Sequence, residues 1–344
     1  MKKILLFTVC FLLSFAAFSQ EKYFRPVQIN FGFPLSTTNV KKAKEYTNAF
    51  SINLLVGISK NERSLALAGV GNVISNNATG LQIAGVSNYI GNAGNGIAVA
   101  GVTNINKGAY NGIQVSGVYN YSGSGNGITV AGVTNMSKDS FIGLQLSGVT
   151  NIAGDVKGLQ FAGVANIAKK VKGVQFASIL NVAEESNFPI AFVNIIKNGK
   201  MGVALSYDMM NNMMLSFRSG GKYTYGILGV GYNNLVNDGC KVVAEAGYGI
   251  HIPVTDWVEI NNEFKAVSVG FSNDKTCFNA SYLLAPSFTF FNHFNVFGGA
   301  SFNYFMSDYV NSNDLIPNKY LWSKDGNYNQ RMYIGYQVGL QYVF

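Results

Sequence analysis

The chain has 344 residues, a formal charge of +8, only 12% charged against 48% hydrophobic residues, 39 Gly and 6 Pro. With no basic cluster and no zinc or RNA-binding motif, this composition argues against nucleic acid as a partner; the positive surplus better suits a lumen or lipid phosphates. After the first twenty residues no run reaches the eighteen or so apolar residues of a membrane helix, so the apolar content must be spread by alternation.

Met1-Lys2-Lys3 followed by an apolar run over 4–18 and Ala17-Phe18-Ser19 has the layout of a secretory signal peptide, predicted over 1–19. Cys10 sits inside the apolar run after Phe7-Thr8-Val9, so it does not read as a lipoprotein attachment site. Residues 20–63 hold two predicted strands, 27–33 and 51–57.

From residue 64 to 197 one phrase recurs every fifteen or sixteen residues. It runs Gly80-Leu-Gln-Ile-Ala-Gly-Val-Ser-Asn88, Gly96-Ile-Ala-Val-Ala-Gly-Val-Thr-Asn104 and Gly112-Ile-Gln-Val-Ser-Gly-Val-Tyr-Asn120. Three more full copies end at Asn135, Asn151 and Asn166, and weaker ones end at Asn72, Asn181 and Asn194. The second and fourth residues are bulky and apolar and the third is usually Gln, which is strand alternation. Turn formers separate the copies, among them Asn76-Asn77, Gly91-Asn92 and Lys107-Gly108.

Two architectures fit. In one, each copy is a strand of a continuous antiparallel transmembrane β-barrel of about 16–18 strands. Gln82, Gln114, Gln145, Gln160, Asn88, Asn104, Asn120, Asn135, Asn151 and Asn166 are then candidate lumen-lining residues. In the other, each copy is a coil of a parallel β-solenoid followed by an 8-stranded barrel, and identical residues stack. Strict Gly and Asn positions and few aromatics favour the solenoid. The absence of any linker or cap between Asn194 and the alternating strand from Met201 tips the expectation toward the continuous barrel.

After residue 198 the chain reads as barrel strands, at 201–207, 212–219, 222–232, 241–250, 256–270, 277–290, 293–305 and 331–344. In the fifth, Glu259, Asn261, Glu263 and Lys265 oppose apolar neighbours and are expected to face a watery interior, because charge on a lipid face is costly. The long polar connection 306–330 is assigned to the cell surface, and both termini and the tight turns to the periplasm. Cys240 and Cys277 begin two strands separated by a third. At about 4.8 Å per strand they are too far apart for a disulfide.

Catalysis has little material. The two histidines, His251 and His293, fall in predicted turns; Asp256 lies near the first and Asn292 beside the second, but proximity in sequence alone does not make a catalytic set, and no His, Cys or Asp spacing suits a metal. No cofactor is expected. Gly91-Asn-Ala-Gly-Asn-Gly96 lacks the Lys and helix of a phosphate cradle and reads as a turn.

The repeated phrase resembles the leptospiral-type surface-repeat proteins, which carry a Gly-x-Gln-x-Ala-Gly-x-x-Asn unit. The second half resembles the outer-membrane barrels of Bacteroidetes, through Asn194-Ile-Ile-Lys-Asn-Gly199 and the ending Tyr336-Gln-Val-Gly-Leu-Gln-Tyr-Val-Phe344. That resemblance implies export to the outer membrane of a Gram-negative bacterium, with Phe344 as a membrane-insertion signal read by the barrel-assembly machinery. It carries no catalytic residues. The expected role is non-enzymatic: a passive pore for small polar solutes, or a surface structural protein in contact with outer-membrane lipid. The alternative is a binding module displaying Gln and Asn ladders to glycans.

Overall fold

The computed structural model describes residues 23–32, 35–36, 40–235, 241–270, 277–308 and 315–344. The predicted signal peptide, Cys10 and Cys240 lie outside them. The chain divides into two compact units, Met1–Ala162 and Gly163–Phe344. Apart from 3-10 backbone at Val40–Glu45 and at Leu315, the described secondary structure is all β.

In the first unit the repeats pair in parallel. Gly80, Gly96, Gly112, Gly127, Gly143 and Gly158 stand in register, as do Asn72, Asn88, Asn104, Asn120, Asn135 and Asn151. The unit is therefore a β-solenoid, and the continuous barrel of 16–18 strands gives way to the second of the two architectures. The physical reason is the glycine. Gly112 has φ of 129°, and a Cβ there would lie 2.0 Å from the carbonyl oxygen of Gly96 in the coil below. Only glycine allows each coil to approach its neighbour this closely. The nine residues from Gly to Asn are constant in length. The difference between fifteen and sixteen is absorbed in the Asn-to-Gly segment, where the register slips between Asn106 and Ala109 and again between Ser122 and Gly125.

The second unit holds further coils of the same kind, with Asn166, Asn181 and Asn194 in register, and then a closed antiparallel barrel. Its eight strands are β1 (Lys200–Asp208), β2 (Asn212–Gly220), β3 (Thr224–Asn233), β4 (Val242–Thr255), β5 (Val258–Val269), β6 (Cys277–Phe290), β7 (Phe294–Ser307) and β8 (Asn329–Val343). Each pairs with the next, and β1 pairs with β8 to close the cylinder. All eight match the strands expected after residue 198. The tight β6–β7 connection is set by Phe291 and Asn292, both at positive φ (50° and 62°).

Alternation divides the wall cleanly. On β8, Ile334, Tyr336, Val338, Leu340 and Tyr342 face outward, while Tyr333, Gln337 and Gln341 are buried inside. Phe264 and Val230, on β5 and β3, point outward and are 59% and 61% exposed.

The last coil meets this wall directly, within the second unit. Asn194 donates through its backbone N–H to Ser219 Oγ (2.9 Å) and through Nδ2 to the Ser219 carbonyl (3.1 Å). Thr224 Oγ1 donates to the Pro189 carbonyl, and Phe192 stacks on Tyr248 at 5.1 Å. The outer wall of β2 and β3 is thus the cap that a solenoid requires, which is why no separate capping segment is visible in the sequence.

Candidate functional site

Two polar interiors are candidates. The first is the asparagine ladder. Asn104 Nδ2 donates to Asn120 Oδ1, Asn120 to Asn135 Oδ1 and Asn135 to Asn151 Oδ1, each at 2.9 Å. Each of these amides also reaches a carbonyl ten or eleven residues further along the chain, as Asn120 does to Val130 at 2.7 Å. In the second unit Asn166 donates to Asn181 (3.0 Å) and Asn181 to Asn194 (2.9 Å). A residue stacked on copies of itself must offer the donor and acceptor at once, and a carboxamide does so without charge.

The ten candidate lumen residues are accordingly placed inside the solenoid coils rather than in a barrel lumen. Gln82, Gln145, Gln160, Asn135, Asn151 and Asn166 are fully buried, and Gln114, Asn88, Asn104 and Asn120 are 1% exposed. None is displayed. Phe344, the expected insertion signal, ends the chain beyond β8, with its N–H on the Met201 carbonyl (2.9 Å) and its side chain exposed.

The second candidate is the barrel interior. Arg218 on β2 grips Glu263 on β5 as a fork, Nη1 to Oε1 at 2.9 Å and Nη2 to Oε2 at 3.3 Å. Tyr225 Oη donates to the same carboxylate (2.8 Å). The Arg218 guanidinium lies 4.2 Å from the centre of the Phe297 ring, a cation–π contact. Lys265 stands 3.6 Å from both Glu245 and Glu263 and also donates to Gln337, whose own amide donates to Ser206 (2.8 Å). The expected inward direction of Glu259, Asn261, Glu263 and Lys265 is found, but these groups face each other rather than water.

Both ends of the lumen are filled as well. At the short-turn end Lys200 pairs with Glu259, and His251 lies 2.9 Å from Asn261 and stacks on Tyr225 at 4.1 Å. His251 was expected in a turn; β4 continues to Thr255 and carries it inside. At the long-loop end Leu315 and Ile316 pack onto Met214, Val269, Phe305 and Tyr333. An eight-stranded barrel has an interior just wide enough for side chains to fill. Here the inward side chains Arg218, Glu245, Glu263, Lys265, Asn303 and Gln337 are all buried.

Sequence reasoning found the β5 charges but missed Arg218, Glu245 and Lys200. The available signal was a single Arg on the small-residue side of β2, between Ser216 and Gly220. Cys277 is a free, buried thiol, as expected. His293 sits in the tight turn, with Nδ1 2.8 Å from the Val343 carbonyl. Among the described residues no group of three His, Cys, Asp or Glu is placed to hold a metal ion.

Comparison with protein-family models, with curated proteins and with solved structures finds no match to this chain.

Proposed function

We propose that this is a non-enzymatic structural protein of the outer membrane, in which the eight-stranded barrel is a lipid-embedded anchor for the repeat coils. The observation that carries this reading is the inversion of the wall: large apolar side chains such as Val230, Phe264, Ile334 and Leu340 stand outward, while Arg218, Glu263 and Lys265 are buried within. Water would reverse that arrangement; hydrocarbon selects it. Aromatic side chains gather toward both ends of the wall, with Trp257, Phe294 and Tyr342 near the short turns and Tyr207 and Tyr232 toward the loops, as at the two interfaces of a membrane barrel.

Of the two roles expected for such a barrel, the structural one has the better support. The pore would need a continuous aqueous path, and the ion network and the Leu315–Ile316 contacts occupy it. Display of amide ladders to glycans would need exposed Gln and Asn, and these are buried. Two measurements test the proposal. Protein refolded into vesicles with brominated acyl chains is expected to lose part of its tryptophan emission, from Trp257 and Trp322. In planar bilayers the same protein is expected to pass no steady current. Steady single-channel conductance would return the pore reading, and unquenched tryptophans with a protein that stays folded without lipid or detergent would remove the anchor.

A further inference from the structure

The repeat coils carry the same inversion as the barrel. From each stacking glycine to the residue after the next ladder asparagine (80–89, 96–105, 112–121, 127–136, 143–152, 158–167 and 173–182) the sequence has no charged residue. The exposed side chains of this stretch are apolar. In the first unit Ile97, Val102, Ile113, Val118, Ile128 and Val133 are each 37–43% exposed, and they stack in rows because the coils are in register. In the second unit Ile167, Phe176, Ile179, Phe188 and Ile195 continue the pattern at 39–54%. Every exposed charge between residues 60 and 197 falls instead in the Asn-to-Gly segments, as at Lys107, Lys138, Asp155 and Lys170. Each coil therefore has two apolar outer faces and one charged edge.

An apolar surface of this extent on a folded protein is covered by something. The second unit indicates by what. There the last coil lies on the outward side of β2 and β3, where the wall residues are small (Ser219, Gly226) and the coil backbone takes their space. Phe192 of the coil stacks on Tyr248, itself an outward residue of the wall. The coil exterior and the barrel exterior thus meet at this point.

We propose that the repeat coils are themselves lipid-facing: their Gly-to-Asn faces lie against acyl chains, and their charged edge lies among headgroups and water. This rests on the membrane reading of the barrel, since the occupant is inferred from continuity with that wall. The edge has eight exposed basic residues against four acidic ones between positions 60 and 197, the sign that anionic headgroups attract. An interfacial helix has the same two-sided chemistry; here a solenoid provides it.

The test uses the full mature chain, with Cys240→Ser and Cys277→Ala as background, in vesicles of phosphatidylethanolamine and phosphatidylglycerol. A nitroxide is attached at Ile113→Cys, Ile179→Cys, Lys138→Cys or, on the barrel, Leu340→Cys. Collision with molecular oxygen is compared with collision with a water-soluble nickel chelate. The expected result is a several-fold preference for oxygen at 113, 179 and 340, and the reverse at 138. Oxygen preference at 340 with nickel access at 113 and 179 would overturn the lipid-facing coils and leave the anchor intact. Shielding of 113 and 179 from both reagents would also overturn it, in favour of a protein partner or a second copy. Nickel access at 340 would instead remove the membrane reading beneath it.

Discussion

The solenoid and the barrel both turn polar groups inward and apolar groups outward, yet they satisfy their interiors in opposite ways. In the solenoid the inward asparagines stack on their own kind at the inter-strand spacing of about 4.8 Å. A charged residue would there meet a like charge, so the ladder is built from neutral, self-complementary Asn and Gln. In the barrel each inward residue faces a different residue across the lumen. Arg218 can meet Glu263, and Lys265 can meet Glu245, so charge is usable. Translational repetition excludes ion pairs from the core, and closure permits them.

The largest expected effect breaks the barrel side of this contrast. Arg218→Met leaves Glu263 buried beside Lys265 alone and should cost about 3–5 kcal/mol, the range for removing one partner of a buried pair. The double variant Arg218→Met with Glu263→Gln should recover much of that loss. Urea unfolding followed by tryptophan emission in micelles reads both. Equal losses in the single and double variants would mean that the pair is not the unit of stability.

A somewhat smaller effect is expected on the solenoid side. Asn120→Ala removes the bonds with Asn104, Asn135 and Val130 and should cost about 2–3 kcal/mol. Asn120→Asp keeps the shape but offers no donor and brings a buried charge, so it should be worse than the deletion. Hydrogen exchange of the repeat amides measures the order. An Asp tolerated better than Ala would contradict the self-complementarity argument.

Much of the barrel was legible, because alternation fixes which side each residue takes whatever its partners are. Glu263 and Lys265 were assigned inward from β5 alone. The repeats were harder. A period-two phrase has the same inside and outside in a parallel coil and an antiparallel strand, so alternation could not separate the two. The strictness of Gly and Asn was the better guide, since only stacking on a copy demands it, as the 2.0 Å approach at Gly112 shows. The unbroken junction after Asn194 pointed the other way because the solenoid's cap belongs to the barrel. Ser219 and Gly226 do that work from strands that read as ordinary wall. His251 was misplaced for a similar reason. The predicted strand stops at residue 250, whereas pairing with β5 extends it past the histidine.

The smallest effect concerns the one buried carboxylate at the N-terminal end of the repeats. Glu62 is 4% exposed and accepts hydrogen bonds from Asn48 (2.9 Å) and Ser51 (2.7 Å), with no ion pair to it among the described residues. Burial pushes its pKa from 4.5 up to about 7, and the hydrogen bonds offset only part of that rise. The folded state therefore holds a proton that the unfolded chain releases. Glu62 costs nothing below about pH 4.5; between there and about pH 7 stability falls, and above pH 7 the loss is constant. Each unit of displacement corresponds to about 1.4 kcal/mol, and residual solvent contact and local relaxation should reduce the total to about 2 kcal/mol. Glu62→Gln keeps an acceptor for Asn48 and Ser51 and removes the titration. It should raise thermal stability at pH 8, leave it unchanged at pH 4, and flatten the profile between them. This is the case the contrast between the regions requires: where a charge-capable residue does enter the solenoid core, the protein does better with it neutral. A variant less stable than wild type at pH 8 would show that the carboxylate is ionised and useful, and that the exclusion of charge from the coils is not general.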